Sequence, residues 1–193
     1  MLVLLGPSAS GKTESAKIML NRYPISRVVT CTTRPKRIGE IDGFDYHFLS
    51  DEEYENLKGE GYFAETASYN GYRYGTPLNE ISDDKLIILE PQGLASFLKL
   101  DLPSIVAIFL KTKEECRIDR MRNRKDKEED IKKRIESDRI DFDISKIEGL
   151  DLIIDTTDID LPQLAKYIYE SYLEILKNKK IGYRQMSLFQ ENL

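Results

Sequence analysis

Met1-Leu2-Val3-Leu4-Leu5-Gly6-Pro7-Ser8-Ala9-Ser10-Gly11-Lys12-Thr13 opens the chain: five apolar residues run straight into the pattern G-x-x-x-x-G-K-[ST]. The apolar run reads as a short buried strand, and the residues after Thr13 (Glu14 to Leu20) read as a helix. A strand that ends in a Gly-rich turn and opens a helix aims several backbone N–H groups at one point. The helix N-terminus adds partial positive charge there, so the point attracts phosphate. Gly6, Pro7, Ser8, Ala9, Ser10, Gly11, Lys12 and Thr13 therefore read as a cradle for a nucleoside triphosphate with Mg²⁺. Lys12 can reach the β- and γ-phosphates, and the Thr13 hydroxyl can ligate the metal.

The rest of the composition narrows the class. At 193 residues the chain fits one domain with small insertions, and 33% charged with 40% hydrophobic residues is the mix of a globular protein. A net charge of −5 gives no reason to expect nucleic acid as a direct ligand. Cys31 and Cys116 are far apart and lack metal spacing, which suits reduced thiols and a cytoplasmic location. Met1–Leu5 is too short for a signal-peptide core, and no run approaches a membrane span. The sole histidine, His47, has no partners for a triad and reads as a strand residue.

Strand-like runs recur at Leu2–Leu5, Arg27–Cys31, Leu86–Leu89, Ile105–Leu110 and Leu152–Ile154, mostly separated by helical patterns. This alternation implies an α/β sandwich with parallel crossovers, whose ligands sit beyond the carboxyl ends of the strands. A small helix is expected near Asp51–Lys58, capped by Ser50, and another from about Thr112, with Glu115 completing a capping box. In the last helix, from Leu161, the residues Leu161, Leu164, Ala165, Ile168, Tyr169, Tyr172, Leu173 and Leu176 recur at three-four spacing and read as core. Residues 34–76 are rich in Gly, Tyr and charge, and read as an inserted subdomain. Residues 118–134 are dense in both signs of charge and read as a mobile flap with no core of its own.

The second informative stretch is Thr30-Cys31-Thr32-Thr33-Arg34-Pro35-Lys36-Arg37-Ile38-Gly39-Glu40, followed by Gly43 to Phe48, Phe63-Ala64-Glu65 and Tyr72-Arg73-Tyr74-Gly75-Thr76. Arginine forks bind phosphate oxygens in bidentate fashion. With its phosphate loop, this chain resembles the guanylate kinase family: GPSASGKT, TTRPKRIGEIDGFDYHF, FAE and YGT occur in the family's order and at compatible spacing. The resemblance covers most of residues 1 to 165. It implies a phosphate-loop NTPase-type three-layer α/β sandwich with a parallel core sheet, an inserted mixed-β subdomain for the nucleoside monophosphate, and a helical lid. The expected division is 1–33, 77–117 and 135–180 for the core, 34–76 for the subdomain, 118–134 for the lid and 181–193 for a tail.

The activity the resemblance implies is transfer of a phosphoryl group from ATP to GMP or dGMP. Arg34, Arg37, Tyr46 and Tyr74 would hold the acceptor's phosphate, and Thr30 and Thr76 would bond to the base or its surroundings. Glu65 would accept from the guanine N1–H and exocyclic amine, with Glu90 as a second acidic group nearby. Adenine lacks that donor pair, so a buried carboxylate would be left unpaired against it. Arg117, Arg120 and Arg124 share one helix face by spacing. The resemblance gives Arg120, Arg124 and Arg134 lid roles, neutralising the transferred phosphoryl group with Lys12.

Two departures stand out: Ile88 occupies a position that is acidic in the family, and Ala9 replaces a loop glycine, which speaks against a positive φ there. Beyond Lys177 the chain reads as a loose polar tail, and Gln185, Leu188 and Phe189 within it are similar to the peptide by which bacterial replication proteins dock on the sliding clamp. A homodimer is compatible with the sequence. Alternatives on the same scaffold are a ribose 1,5-bisphosphate kinase and a non-catalytic binding module, the latter disfavoured by the intact Lys12 and Thr13.

Overall fold

The computed structural model of the protein describes residues 1–69 and 71–190. Its first strand, β1 (Leu2–Leu5), has no exposed residue, because helices cover both faces of the sheet around it. That sheet has five strands in the order β2 (Ser26–Arg27), β7 (Lys85–Ile88), β1, β8 (Val106–Lys111), β9 (Leu152–Asp155), and every pairing is parallel. Alternate residues of each strand feed two cores. Leu2, Leu4, Ile108 and Leu110 pack with Ala16 and Met19 of α1 (Lys12–Arg22) and with Leu164, Ile168 and Tyr172 of α6 (Leu161–Gln190). Met1, Val3, Leu5 and Phe109 pack on the other face, with Leu94 and Phe97 of α3 (Pro91–Leu98). The expected three-layer sandwich is thus the observed one.

Beside it stands a mixed sheet, in the order β4 (His47–Phe48), β3 (Cys31–Thr32), β6 (Tyr72–Pro77), β5 (Phe63–Tyr69). β3 pairs parallel with β4 and antiparallel with β6, and β5 pairs antiparallel with β6. The single strand expected at Arg27–Cys31 is two pieces. β2 ends at Arg27, Val28 still donates to the Leu86 carbonyl, and the chain then leaves the core sheet to begin β3 in the other. One apolar run therefore supplies both sheets, and periodicity alone does not mark the crossing. His47 lies in β4, as expected. The helix α2 (Asp51–Gly59) starts where expected: Ser50 and Glu53 form a reciprocal capping box.

Four expectations need correction. The capping box at Thr112 is absent: α4 (Glu114–Asn123) begins at the N-cap Lys113 without a side-chain cap, because the Thr112 hydroxyl is 2.6 Å from that of Thr156. Residues 118–134 do contribute to a core: their Met121 and Ile131 are buried with Ile135 between α4 and α5 (Glu128–Asp141), with Ala9 and Ile118 against them. Three well-spaced apolar residues suffice for a two-helix contact, which overall charge density hides. The chain after Lys177 is no loose tail but the continuation of α6 as far as Gln190. The side chains of Gln185, Leu188 and Phe189 lie outside the described residues. On α6, Leu164, Ala165, Ile168, Tyr172 and Leu176 are buried, whereas Leu161 and Leu173 face outward.

Glycine matters most at Gly6. Its φ is +141°, and a Cβ there would meet the Leu110 carbonyl and the Ser10 hydroxyl. Gly6→Ala is expected to cost about 2–4 kcal/mol in urea unfolding. Gly39→Ala, at φ +90° with open space around it, is expected to cost only about 1 kcal/mol.

Candidate functional site

The loop between β1 and α1 turns at the carboxyl edge of the parallel sheet. Gly11, at φ +100°, is the N-cap of α1, and Ala9 adopts φ +60° in spite of its Cβ. Ala9 is held there from outside: the Arg120 guanidinium donates to its carbonyl (3.1 Å), and Ala9 packs against the Met121 cluster. The Thr156 hydroxyl donates to the Ser10 carbonyl (3.0 Å). The Ser8 N–H and hydroxyl donate to the Asp138 carboxylate (3.0 and 3.2 Å). The Lys12 ammonium donates to the carbonyls of Gly6 and Pro7, and lies 5.7 Å from the centre of the Phe142 ring. Burial pushes Lys12 down to about 8, while the Asp138 carboxylate pulls the other way.

Two cavities flank this loop. One, of about 590 Å³, runs from Ala9–Glu14 to Arg120, Arg124, Ile159 and Leu161. The other, of about 480 Å³, is lined by Ser8, Lys12, Glu90, Arg134 and Asp138 among others. Arg120 and Arg124 therefore stand on one side of Lys12, and Arg134 on the other. Arg124 and Arg134 nevertheless meet on one carboxylate, Asp126, at 2.5 and 3.5 Å.

A third cavity, of about 460 Å³, lies between the two sheets and holds Thr13, Thr30, Tyr46 and Glu65, with Arg27 and Ile88. The Thr76 hydroxyl, fully buried, donates to Glu65 (2.8 Å). Burial raises the Glu65 pKa, only partly opposed by that bond. Arg34 lies 5.4 Å from the centre of the Tyr46 ring, and Tyr46 meets Tyr74 edge-on at 6.2 Å. Arg34 is paired in fork geometry with Glu40 (2.7 and 3.1 Å). That pairing raises the guanidinium's pKa and lowers the carboxylate's. The Arg37 N–H donates to the same carboxylate (2.7 Å).

Of the sequence-predicted residues, the structure brings Thr30, Tyr46, Glu65 and Thr13 into one cavity, with Arg34, Tyr74 and Thr76 touching its members. Glu90 is elsewhere, in the cavity of Lys12 and Arg134, with Ile88 and Leu89 lining both chambers. Ile88, 37% exposed, presents an apolar surface at that divide.

Arg27, Glu40 and Asp138 escaped the sequence reading. Arg27 donates to the Asp45 carbonyl (3.1 Å) and lies 5.6 Å from the centre of the Tyr46 ring. Only the six-residue spacing of Glu40 from Arg34 offered any signal. Arg120 pairs with neither Glu115 nor Asp119; it serves the loop and the Thr156 carbonyl (2.8 Å). Among the described residues, no three His, Cys, Asp or Glu side chains form a metal-binding group, and no helix is long and apolar enough to cross a membrane.

Comparison with known proteins agrees with this geometry. The family model described as guanylate kinase matches residues 1–171. A guanylate kinase of Lawsonia intracellularis is 41% identical over 67% of this chain, and the match spans 65% of that relative's length. One from Synechocystis is 34% identical over 88% of this chain and 93% of its own length. The crystal structure of guanylate kinase from Anaplasma phagocytophilum superposes with a TM-score of 0.60 at 28% identity, covering 88% of this chain and 82% of that one.

A desolvated carboxylate leaves a signature in the pH dependence of stability. Below the unfolded value near 4.5 the raised Glu65 pKa contributes its full stability, which is lost as pH rises through the folded value. Glu65→Gln is therefore expected to gain on the wild type, in melting temperature, as pH rises above about 4.5, and to level off once pH passes the folded value. A pH-independent difference would show that Glu65 is not desolvated.

Proposed function

Because this chain belongs to the guanylate kinase family, we propose that it transfers the γ-phosphoryl group of ATP to GMP or dGMP, with Mg²⁺. One observation carries the reading: Thr13 lines both the phosphate-loop cavity and the cavity that contains Glu65, so a donor and an acceptor bound in them would meet at the loop. ATP is assigned to the first cavity, with its phosphates on the N–H groups of the loop and on Lys12. GMP is assigned to the second, with its guanine edge on Glu65. The Thr76 hydroxyl orients that carboxylate, and Thr30 lies beside the base.

The acceptor phosphate would take the Arg34, Arg37, Tyr46 and Tyr74 side. Glu40 holds the Arg34 fork in place there, and phosphate oxygens can take the fork's remaining donors. One acceptor phosphate oxygen attacks the γ-phosphorus as the bond to the β,γ-bridging oxygen breaks, and ADP carries away the electron pair. The acceptor phosphate is already ionised near neutral pH, so the chain needs to position and neutralise rather than to remove a proton. Lys12, Arg120, Arg124 and Arg134 supply positive charge around the transferred group when residues 118–134 close as a lid.

Thr13 is the residue that would hold Mg²⁺. A single hydroxyl, with no acidic metal-binding cluster among the described residues, would suit a cation that keeps most of its waters, and such a cation would screen phosphate charge. The apolar Ile88 adds no ligand. A ribose 1,5-bisphosphate acceptor would offer the half-buried Glu65 hydroxyls at most, and not the paired donors of a guanine edge.

A coupled ADP-release assay tests the proposal. GMP and dGMP are expected to turn over, with kcat/KM for AMP lower by about 10³-fold or more. Glu65→Gln should lower kcat/KM for GMP by about 10²-fold while leaving KM for ATP near wild type. Equal rates on AMP and GMP would remove Glu65 from its role. A Lys12→Ala protein with undiminished turnover would remove the phosphate loop from its own.

A further inference from the structure

Asp138 lies on α5, far from the loop in sequence, yet both its oxygens are used on Ser8, one by the N–H and one by the hydroxyl. Arg117 of α4 closes the triangle, donating to the same carboxylate (2.5 Å) and, more distantly, to the Ser8 carbonyl (3.4 Å). The Arg117 and Asp138 side chains are each only 6% exposed. An ion pair this deep adds little net stability, because desolvating two charges offsets their attraction, and apolar side chains in its place often serve packing as well. Met121, Ile131 and Ile135 show that apolar packing between these two helices is available. The bonds from Arg117 to Asp138 and Ser8 both run from one Nη, and its buried Nε has no acceptor among the described residues. What the pair adds is geometry: the donor, acceptor and side chain of one loop residue are fixed to two helices at once.

We propose that Asp138, with Arg117, is a positioning residue that tethers α4 and α5 to Ser8 and so holds the phosphate loop ready for the triphosphate. This rests on the assignment of ATP to that loop. α4 and α5 carry Arg120, Arg124 and Arg134, so the tether also sets where those arginines start from relative to the loop. The acceptor cavity lies outside the triangle, since neither Asp138 nor Arg117 lines it.

The test separates tethering from bulk stability. Asp138→Ala strands the Arg117 charge and is expected to lower the melting temperature sharply. The double variant Arg117→Leu/Asp138→Ala removes both charges and is expected to keep a melting temperature near wild type. It should nonetheless show KM for ATP raised about tenfold, with KM for GMP changed less than about twofold. Asp138→Asn keeps one oxygen acceptor for Ser8 and should fall between the two. A well-folded double variant with wild-type KM for ATP would overturn the tether, as would equal rises in both KM values. If the wild-type protein failed to phosphorylate GMP, the kinase reading would fall alone. The calorimetric dissociation constant for ATP on the same variants would still judge the tether: weaker binding by the double variant supports it, and unchanged binding overturns it.

Discussion

The phosphate loop owes its shape to groups that lie far from it in sequence. Its backbone turns through a positive φ at Gly6, at Ala9 and again at Gly11, a course that a free octapeptide would not hold. Gly6 is pressed under the Leu110 carbonyl of β8. Arg120 takes the Ala9 carbonyl, Thr156 takes the Ser10 carbonyl, and Asp138 takes the donors of Ser8. These contacts come from four separate elements or their ends, so the anion cradle exists only once the parallel sheet and the α4–α5 pair are assembled. That order of dependence explains why the sheet's central strand is apolar without interruption: it has to be buried on both faces before its carboxyl end can present anything.

The cavity that contains Glu65 works by a different constraint. Glu65 is half-buried, and its hydrogen bond from Thr76 leaves much of its acceptor capacity open. Such a group discriminates by what it lacks: a ligand edge with two donors satisfies it, and an edge without them leaves a carboxylate buried and unpaired. The aromatic and cationic cluster beside it draws on both sheets, with Arg27 coming from β2 of the parallel one. Tyr46 lies between the guanidinium groups of Arg27 and Arg34, and Glu40 fixes the second of these. Interlocked side chains of this kind lose less freedom when a phosphate arrives than long free arginines would.

Charge pairing gives the α4–α5 pair two levels of order. Arg122 with Glu128 and Arg139 with Glu114 are exposed pairs of small energetic weight. The Arg117–Asp138 pair is buried and tied to the loop. Arg124 and Arg134 share Asp126 at the surface, where a stronger anion can replace that carboxylate at little cost. Residues that read as one undifferentiated charged stretch are thus divided by burial into a fixed root and an exchangeable tip.

The amino-acid order alone determined the apolar strand, the phosphate loop, the strand–helix alternation and the Ser50 capping box. Each of these is written in local spacing, where backbone geometry follows from a few adjacent residue types. Only the tertiary structure decided that the run Arg27–Cys31 divides between two sheets, that Ala9 tolerates φ +60°, that Glu90 lines the cavity of Lys12, and that Asp138 reaches Ser8. It also decided that α6 continues to Gln190. These outcomes depend on which distant groups meet and how much water they exclude, and no window of sequence contains both partners of a contact 130 residues apart.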